Sequence, residues 1–179
     1  MRKFFMVFML VISGFVFSQD FENTGVMKET DDFSGDTTCS QTLVGVIDGN
    51  EVGISFSTSN FGSTVMAVGF YTSDPVYNLF SILPEESIMF RFYGEIDEVF
   101  QYPLGASDTE SEYLGWQQFA LIEMAPEEIE ILLYYEERVR LRMNGSNQNL
   151  DFDFPINWRI AFSDGFLREC LPKDDWQNS

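Results

Sequence analysis

Arg138, Arg140 and Arg142 stand at alternate positions of RVRLRM (138–143), in a chain that holds only ten basic residues against 29 acidic ones. That spacing places three guanidiniums on one side of a strand and Val139, Leu141 and Met143 on the other. Two chemistries fit. The first is a solvated strand whose positive charges balance the neighbouring Glu127, Glu128, Glu130, Glu136 and Glu137. The second is a small anion-recognition face. Exposed mixed charge is the usual state of a protein surface, so local balance is the expectation and binding through Arg138, Arg140 and Arg142 the alternative.

Other chemistries are narrowed by what the chain lacks. It has no histidine, so the common nucleophilic triads have no base and a histidine-bound zinc or copper site cannot form. Neither a phosphate-binding G-x-x-x-x-G-K-[ST] loop nor a dinucleotide fingerprint occurs. A carboxylate pair could hydrolyse glycosides, but among 29 acidic residues some pair falls at a suitable distance by chance. DDFSGD (31–36) and NGSNQNLDFD (144–153) are rich in oxygen ligands for calcium. Neither has the spacing or terminal glutamate of an EF-hand loop, so both read as solvated turns. No catalytic residue, metal or cofactor is assigned. Asn144-Gly145-Ser146 fits a glycosylation acceptor and reads here as a hairpin turn.

The two cysteines are Cys39 and Cys170. Their use depends on compartment, and the N-terminus addresses that. Arg2 and Lys3 precede an apolar run through Phe17, and Val16-Phe17-Ser18 sets small residues at −3 and −1 of a cut before Gln19. That is the layout of a secretory signal peptide. The alternative is an uncleaved anchor, for which the run is a little short, since a membrane span needs ~20 residues; no cysteine near the cut suggests lipid attachment. In an oxidising space two cysteines tend to pair. A Cys39–Cys170 bond would close most of the mature chain into one loop, worth ~4–5 kcal/mol in the chain-entropy model. A redox or catalytic thiol is the weaker account, because there is no C-x-x-C pair and no histidine base.

The formal charge is −19, and two of the ten basic residues lie in the leader. A chain this acidic is repelled by nucleic acid and by anionic membranes. Solubility is the plain reason for such a charge. Cationic partners or life at high ionic strength are the others. The expected state is a monomer, with no membrane span once the leader is removed.

These residues must be held by some framework. The chain divides into a leader (1–18), a flexible acidic segment (19–37), one globular domain (38–171) and a loose tail (172–179) in which Trp176 is able to dock back. Strands are expected at TLVGVID (42–48), VGISFST (52–58), TVMAVGFY (64–71), SIMFRFYG (87–94), EIDEVFQY (95–102) and WQQFALIE (116–123). Asp48-Gly49-Asn50 is hairpin chemistry. LGASDTESEY (104–113) reads as an exposed loop. The period then changes. Pro126 opens a helix to about 136, with Ile129, Leu132 and Leu133 as its apolar stripe. RVRLRM and NLDFDF (149–154) flank the turn NGSNQ. A second helix over 155–170 carries Trp158, Phe162, Phe166 and Cys170 in one row. The fold class is mainly β or α+β: an antiparallel curved sheet or sandwich, partly covered by two late helices.

From Trp116 to Cys170 the order is strand, helix, strand, turn, strand, helix, cysteine. This resembles the C-terminal half of the invasion-associated locus B family, periplasmic and secreted β-rich proteins of bacteria. The shared features are the basic alternating strand RVRLRM, the return strand NLDFDF and the final helix ending in Cys170. The resemblance implies a secreted, non-enzymatic domain and carries over no functional residue. The expected function is therefore a secreted or periplasmic, non-catalytic domain that contacts a protein or glycan. A histidine-free hydrolase with paired carboxylates and a structural envelope component are the alternatives.

Overall fold

The computed structural model describes residues 21–32, 34–59, 64–72, 88–94, 97–103, 106–112, 115–145 and 149–171. The leader and its cut, most of the 59–63 turn and the tail with Trp176 lie outside them. Ten strands form two antiparallel sheets. The larger contains β1 (Glu22–Thr30), β2 (Thr37–Ile47), β3 (Asn50–Ser59), β4 (Thr64–Thr72), β7 (Ala106–Glu112) and β8 (Gly115–Glu123), in the order β1-β2-β3-β4-β8-β7. The smaller contains β5 (Ile88–Phe92), β6 (Val99–Tyr102), β9 (Val139–Asn144) and β10 (Asn149–Asp153), in the order β10-β9-β5-β6. Helix α1 (Pro126–Tyr134) joins β8 to β9. Helix α2 follows β10 and runs as Ile156–Phe162, a wide π turn over Ser163–Leu167, and a last piece Arg168–Cys170. Residues from both sheets and both helices share one core, as expected of a mainly β domain with two late helices.

Local chemistry explains most of these elements. Ile47 pairs with Asn50 across a two-residue turn, in which Asp48 (φ 51°) and Gly49 (φ 84°) are both left-handed. That is the primed hairpin turn that Asp-Gly favours. In α1, Pro126 occupies the first turn, and the Glu128 carboxylate accepts the Ala125 N–H at 2.9 Å. Arg159 of α2 donates to the carbonyls of Tyr135 and Glu137 (the latter at 2.7 Å), just beyond the end of α1. A buried cation there meets the negative end of the helix dipole.

Helix α2 lies along β2. Cys39 is bonded to Cys170, with Cα atoms 5.5 Å apart. Two residues on, the Gln41 amide accepts the N–H of Phe166 at 2.7 Å and donates to the Ala161 carbonyl at 3.2 Å. Trp158 lies over Gly45. Alternate residues of one strand thus meet successive turns of the helix. The inserted amide accounts for the π turn, because a side chain entering the helical ladder is a usual cause of such a bulge. The wide turn also keeps the row straight. Residues four apart in a regular α-helix drift by about 40° per step, so Cys170 would otherwise sit about a third of a turn away from Trp158.

Two expectations are corrected. The segment 19–37 contains β1, which pairs with β2 from Glu22↔Val44 to Thr30↔Thr37. As an edge strand with mostly exposed side chains, it needs backbone partners more than an apolar face, so hydrophobic period did not mark it. Cys39 accordingly lies inside the second strand, β2. DDFSGD closes this hairpin: Gly35 N–H donates to Asp31 O, and the Asp31 carboxylate accepts the Ser34 N–H. The second correction concerns 104–113, which contains β7. Its backbone pairs with β8 from Ala106↔Leu121 to Glu112↔Gly115, at the other edge of the larger sheet.

Candidate functional site: the solvent face of the smaller sheet

Strand parity builds the smaller sheet as a lattice. Two rows point into the core: Leu150, Met143, Ile88 and Tyr102, then Phe152, Leu141, Phe90 and Phe100. Between and beside them run two solvent rows. One is Asp151, Arg142, Met89 and Gln101; the other is Asp153, Arg140, Arg91 and Val99. Beyond the second, the Tyr93 N–H donates to the Arg138 carbonyl at 3.0 Å. The alternation read from RVRLRM thus places Arg138, Arg140 and Arg142 on one face, and Arg91 joins them from the adjacent strand.

Among the described residues, the carboxylates within ion-pair distance of this face are aspartates, not the glutamates of 127–137 expected to balance it. Arg142 holds Asp151 in a two-pronged grip, Nε to Oδ1 at 2.7 Å and Nη2 to Oδ2 at 2.9 Å. Arg138 Nε donates to Asp153 Oδ1 at 2.9 Å, and Arg91 Nη2 to Asp97 Oδ1 at 3.1 Å. Arg140 differs. Its Nη2 lies 3.6 Å from Asp151 Oδ2, the oxygen that already accepts from Arg142. At that distance the contact is electrostatic rather than a hydrogen bond. Register explains the shortage: Arg140 faces Asp153 on one side and Arg91 on the other, while Asp153 is drawn diagonally to Arg138.

The guanidiniums of Arg138 and Arg91 also lie 4.8 and 5.3 Å from the centre of the Tyr93 ring, within cation–π range. Hydrogen bonding from Arg142, with the charges of Arg142 and Arg140, holds the Asp151 carboxyl below the usual aspartate range despite partial burial. Hydrogen bonding to Asp153 pushes the Arg138 guanidinium up, and hydrogen bonding to Asp151 does the same for Arg142.

The sequence pattern assigns Asp97, Arg91 and Tyr93 no role, and Asp151 and Asp153 stand out in it only as oxygen ligands within NGSNQNLDFD, not as partners of the arginines. For the two β10 aspartates a signal existed. RVRLRM and NLDFDF flank one turn, so alternating arginines and alternating aspartates had to face each other on the same side of a hairpin.

Elsewhere, a cavity of ≈ 20 Å³ lies between the sheets, walled by Ile47, Val52, Met143 and Phe152, with Asp151 at its edge. It has room for a water and no more. Glu51 is raised by burial alone. Among the described residues no group of three or more His, Cys, Asp or Glu side chains could hold a metal ion, and no helix is long and apolar enough to cross a membrane. Comparison of the chain with protein families, curated proteins and solved structures finds no match.

Proposed function

We propose that the chain is an exported, non-catalytic domain that contacts a protein or glycan through the solvent face of β10-β9-β5-β6. One observation carries this reading. Four of the ten basic residues of a chain with net charge −19 gather on and beside two adjacent strands, and two of them, Arg91 and Arg138, lie over the Tyr93 ring. Arginine and tyrosine are enriched where proteins bind partners. Local balance accounts for Arg91, Arg138 and Arg142, each hydrogen-bonded to an aspartate. Arg140 has a looser share of it, a 3.6 Å contact to the Asp151 oxygen that already accepts from Arg142. Export is supported by the leader pattern and by the Cys39–Cys170 bond, which suits an oxidising space. A hydrolase of the paired-carboxylate kind requires a cleft with two converging, mutually perturbed carboxyls. In the cavity between the sheets the one carboxylate among the described lining residues is Asp151, already gripped by Arg142.

The test is capture from the native envelope or medium, comparing wild type with the triple variant R138Q/R140Q/R142Q. Loss of the retained partner with a nearly unchanged melting curve is expected, since exposed ion pairs contribute little to stability. Wild-type capture should weaken as salt rises. Capture that survives the triple variant removes the function from this face.

A further inference from the structure

Resting on that reading of the face, we infer that the position between Arg140 and Arg91 receives the carboxylate of an acidic sugar, with the surrounding aspartates accepting its hydroxyls. Arg140 and Arg91 are directly opposite on adjacent strands, an arrangement in which like charges repel. Arg138 and Arg142 stand two residues to either side of Arg140 on the same strand face. Among the described residues, the three carboxylates that meet these four guanidiniums sit at the margins, Asp151 and Asp153 on β10 and Asp97 ahead of β6. Among the described residues the lattice holds four guanidiniums and three carboxylates, so its centre is one negative charge short. An oxyanion placed there would relieve the Arg91–Arg140 repulsion and take the donors that Arg140 does not use, in the forked geometry that guanidinium and carboxylate share.

The margin selects what carries that oxyanion. Asp97, Asp151 and Asp153 are acceptors with lone pairs left beyond their arginine bonds. They repel a second negative charge and attract hydroxyl donors. The net charge of −19 adds a long-range penalty against polyanions. A body with one carboxylate and several hydroxyls, such as a uronic acid unit, answers both demands. An acidic protein side chain supplies the carboxylate but brings no hydroxyls for the aspartates. A phosphodiester chain brings too many charges.

The experiment follows the arginine Nε–Hε signals of the ¹⁵N-labelled mature protein by NMR. Three ligands are titrated: the methyl glycoside of glucuronic acid, methyl glucoside, and acetate. The glucuronide should shift Arg140 and Arg91 saturably and leave the remote Arg168 unmoved. Methyl glucoside should shift none of them. Acetate, which lacks the hydroxyls, should bind more weakly by about tenfold or more. R140Q should abolish the response to glucuronide, and R91Q should weaken it. Three results overturn the inference: no shift with glucuronide, acetate binding as tightly as glucuronide, or R140Q binding like wild type. If glucuronide fails while the triple variant still loses its captured partner, the face remains the contact surface and only the sugar is wrong. If capture also survives the triple variant, both readings fall.

Discussion

Replacing Gly165 with alanine should destabilise the protein, although helix propensity alone favours the change by ~1 kcal/mol. The reason is Gln41. Its side chain is 1 % exposed. Its amide nitrogen donates to Ala161 O at 3.2 Å and Asn23 Oδ1 at 3.0 Å, and its oxygen accepts the Phe166 N–H at 2.7 Å. A Cβ on Gly165 would lie 2.4 Å from that oxygen and 2.8 Å from both Cδ and Nε2. The amide must leave, and the Phe166 N–H and Ala161 carbonyl lose their partner in the interior. Each buried group left unsatisfied costs about 1–3 kcal/mol. Two such groups, set against the propensity gain of ~1 kcal/mol, give a cost for G165A of about 1–5 kcal/mol. In a Q41A background the obstruction is gone, and the same substitution should become neutral or stabilising by up to ~1 kcal/mol. Urea unfolding of the four proteins in the double-mutant cycle, with the disulfide intact, measures this. An equal effect of G165A in both backgrounds, within about 0.5 kcal/mol, would refute the account of the π turn as a helix opened by Gln41.

Non-reducing peptide mapping should find Cys39 joined to Cys170 with no free thiol. Because the bond spans 131 residues, the C39S/C170S variant should lose up to about 5 kcal/mol in the chain-entropy model, seen as a lower urea midpoint. Asp151 should shape the acid limb of stability. Its folded-state carboxyl titrates below the ordinary 3.8, so its contribution is full above that pH and is lost as pH falls through the lowered value. D151N should flatten that part of the acid unfolding curve, and an unchanged curve would count against the Arg142 pairing. Intact mass of protein recovered from the periplasm or medium should place the mature N-terminus at Gln19 or one residue beyond, and full-length chain in the membrane fraction would contradict export.

The sequence was most legible where burial imposed a period. Ile129, Leu132 and Leu133 turned inward on α1, and Trp158, Phe162 and Phe166 on α2, as their spacing required. The hairpin at Asp48-Gly49 was legible because left-handed turns restrict residue type. The β1 and β7 edges were not. An edge strand is held by backbone hydrogen bonds to one neighbour, and nothing in its side chains has to repeat. The π turn was hidden for a different reason. It is caused by Gln41, more than a hundred residues earlier in the chain, and no local pattern reports so distant a partner. In the candidate site the arginine side was readable and the compensation was not, because pairing by diagonal neighbours depends on register. RVRLRM alone does not reveal that Asp153 serves Arg138 and leaves Arg140 short.

That register is itself fixed by the core, which bears on how the face works. Val139, Leu141 and Met143 are each no more than 1 % exposed, and they alternate with Arg138, Arg140 and Arg142 along one strand. A slip of one residue would drive three guanidiniums into a phenylalanine-lined interior and bring three apolar side chains to water. Packing therefore holds the arginine backbone positions at fixed spacing, independently of any partner. The Arg91–Arg140 opposition cannot relax by strand movement, because Phe90 and Leu141, the next pair in the ladder, are both fully buried. The guanidiniums can only swing on their side chains toward whatever negative charge is near. Asp151 and Asp153 draw two of them outward to β10, Asp97 draws Arg91 toward β6, and Arg140 stays between. The core fixes the strand positions and aspartates hydrogen-bond three of the four guanidiniums, so Arg140, with its 3.6 Å contact to the shared Asp151 oxygen, is the cation whose donors stay available to an incoming anion.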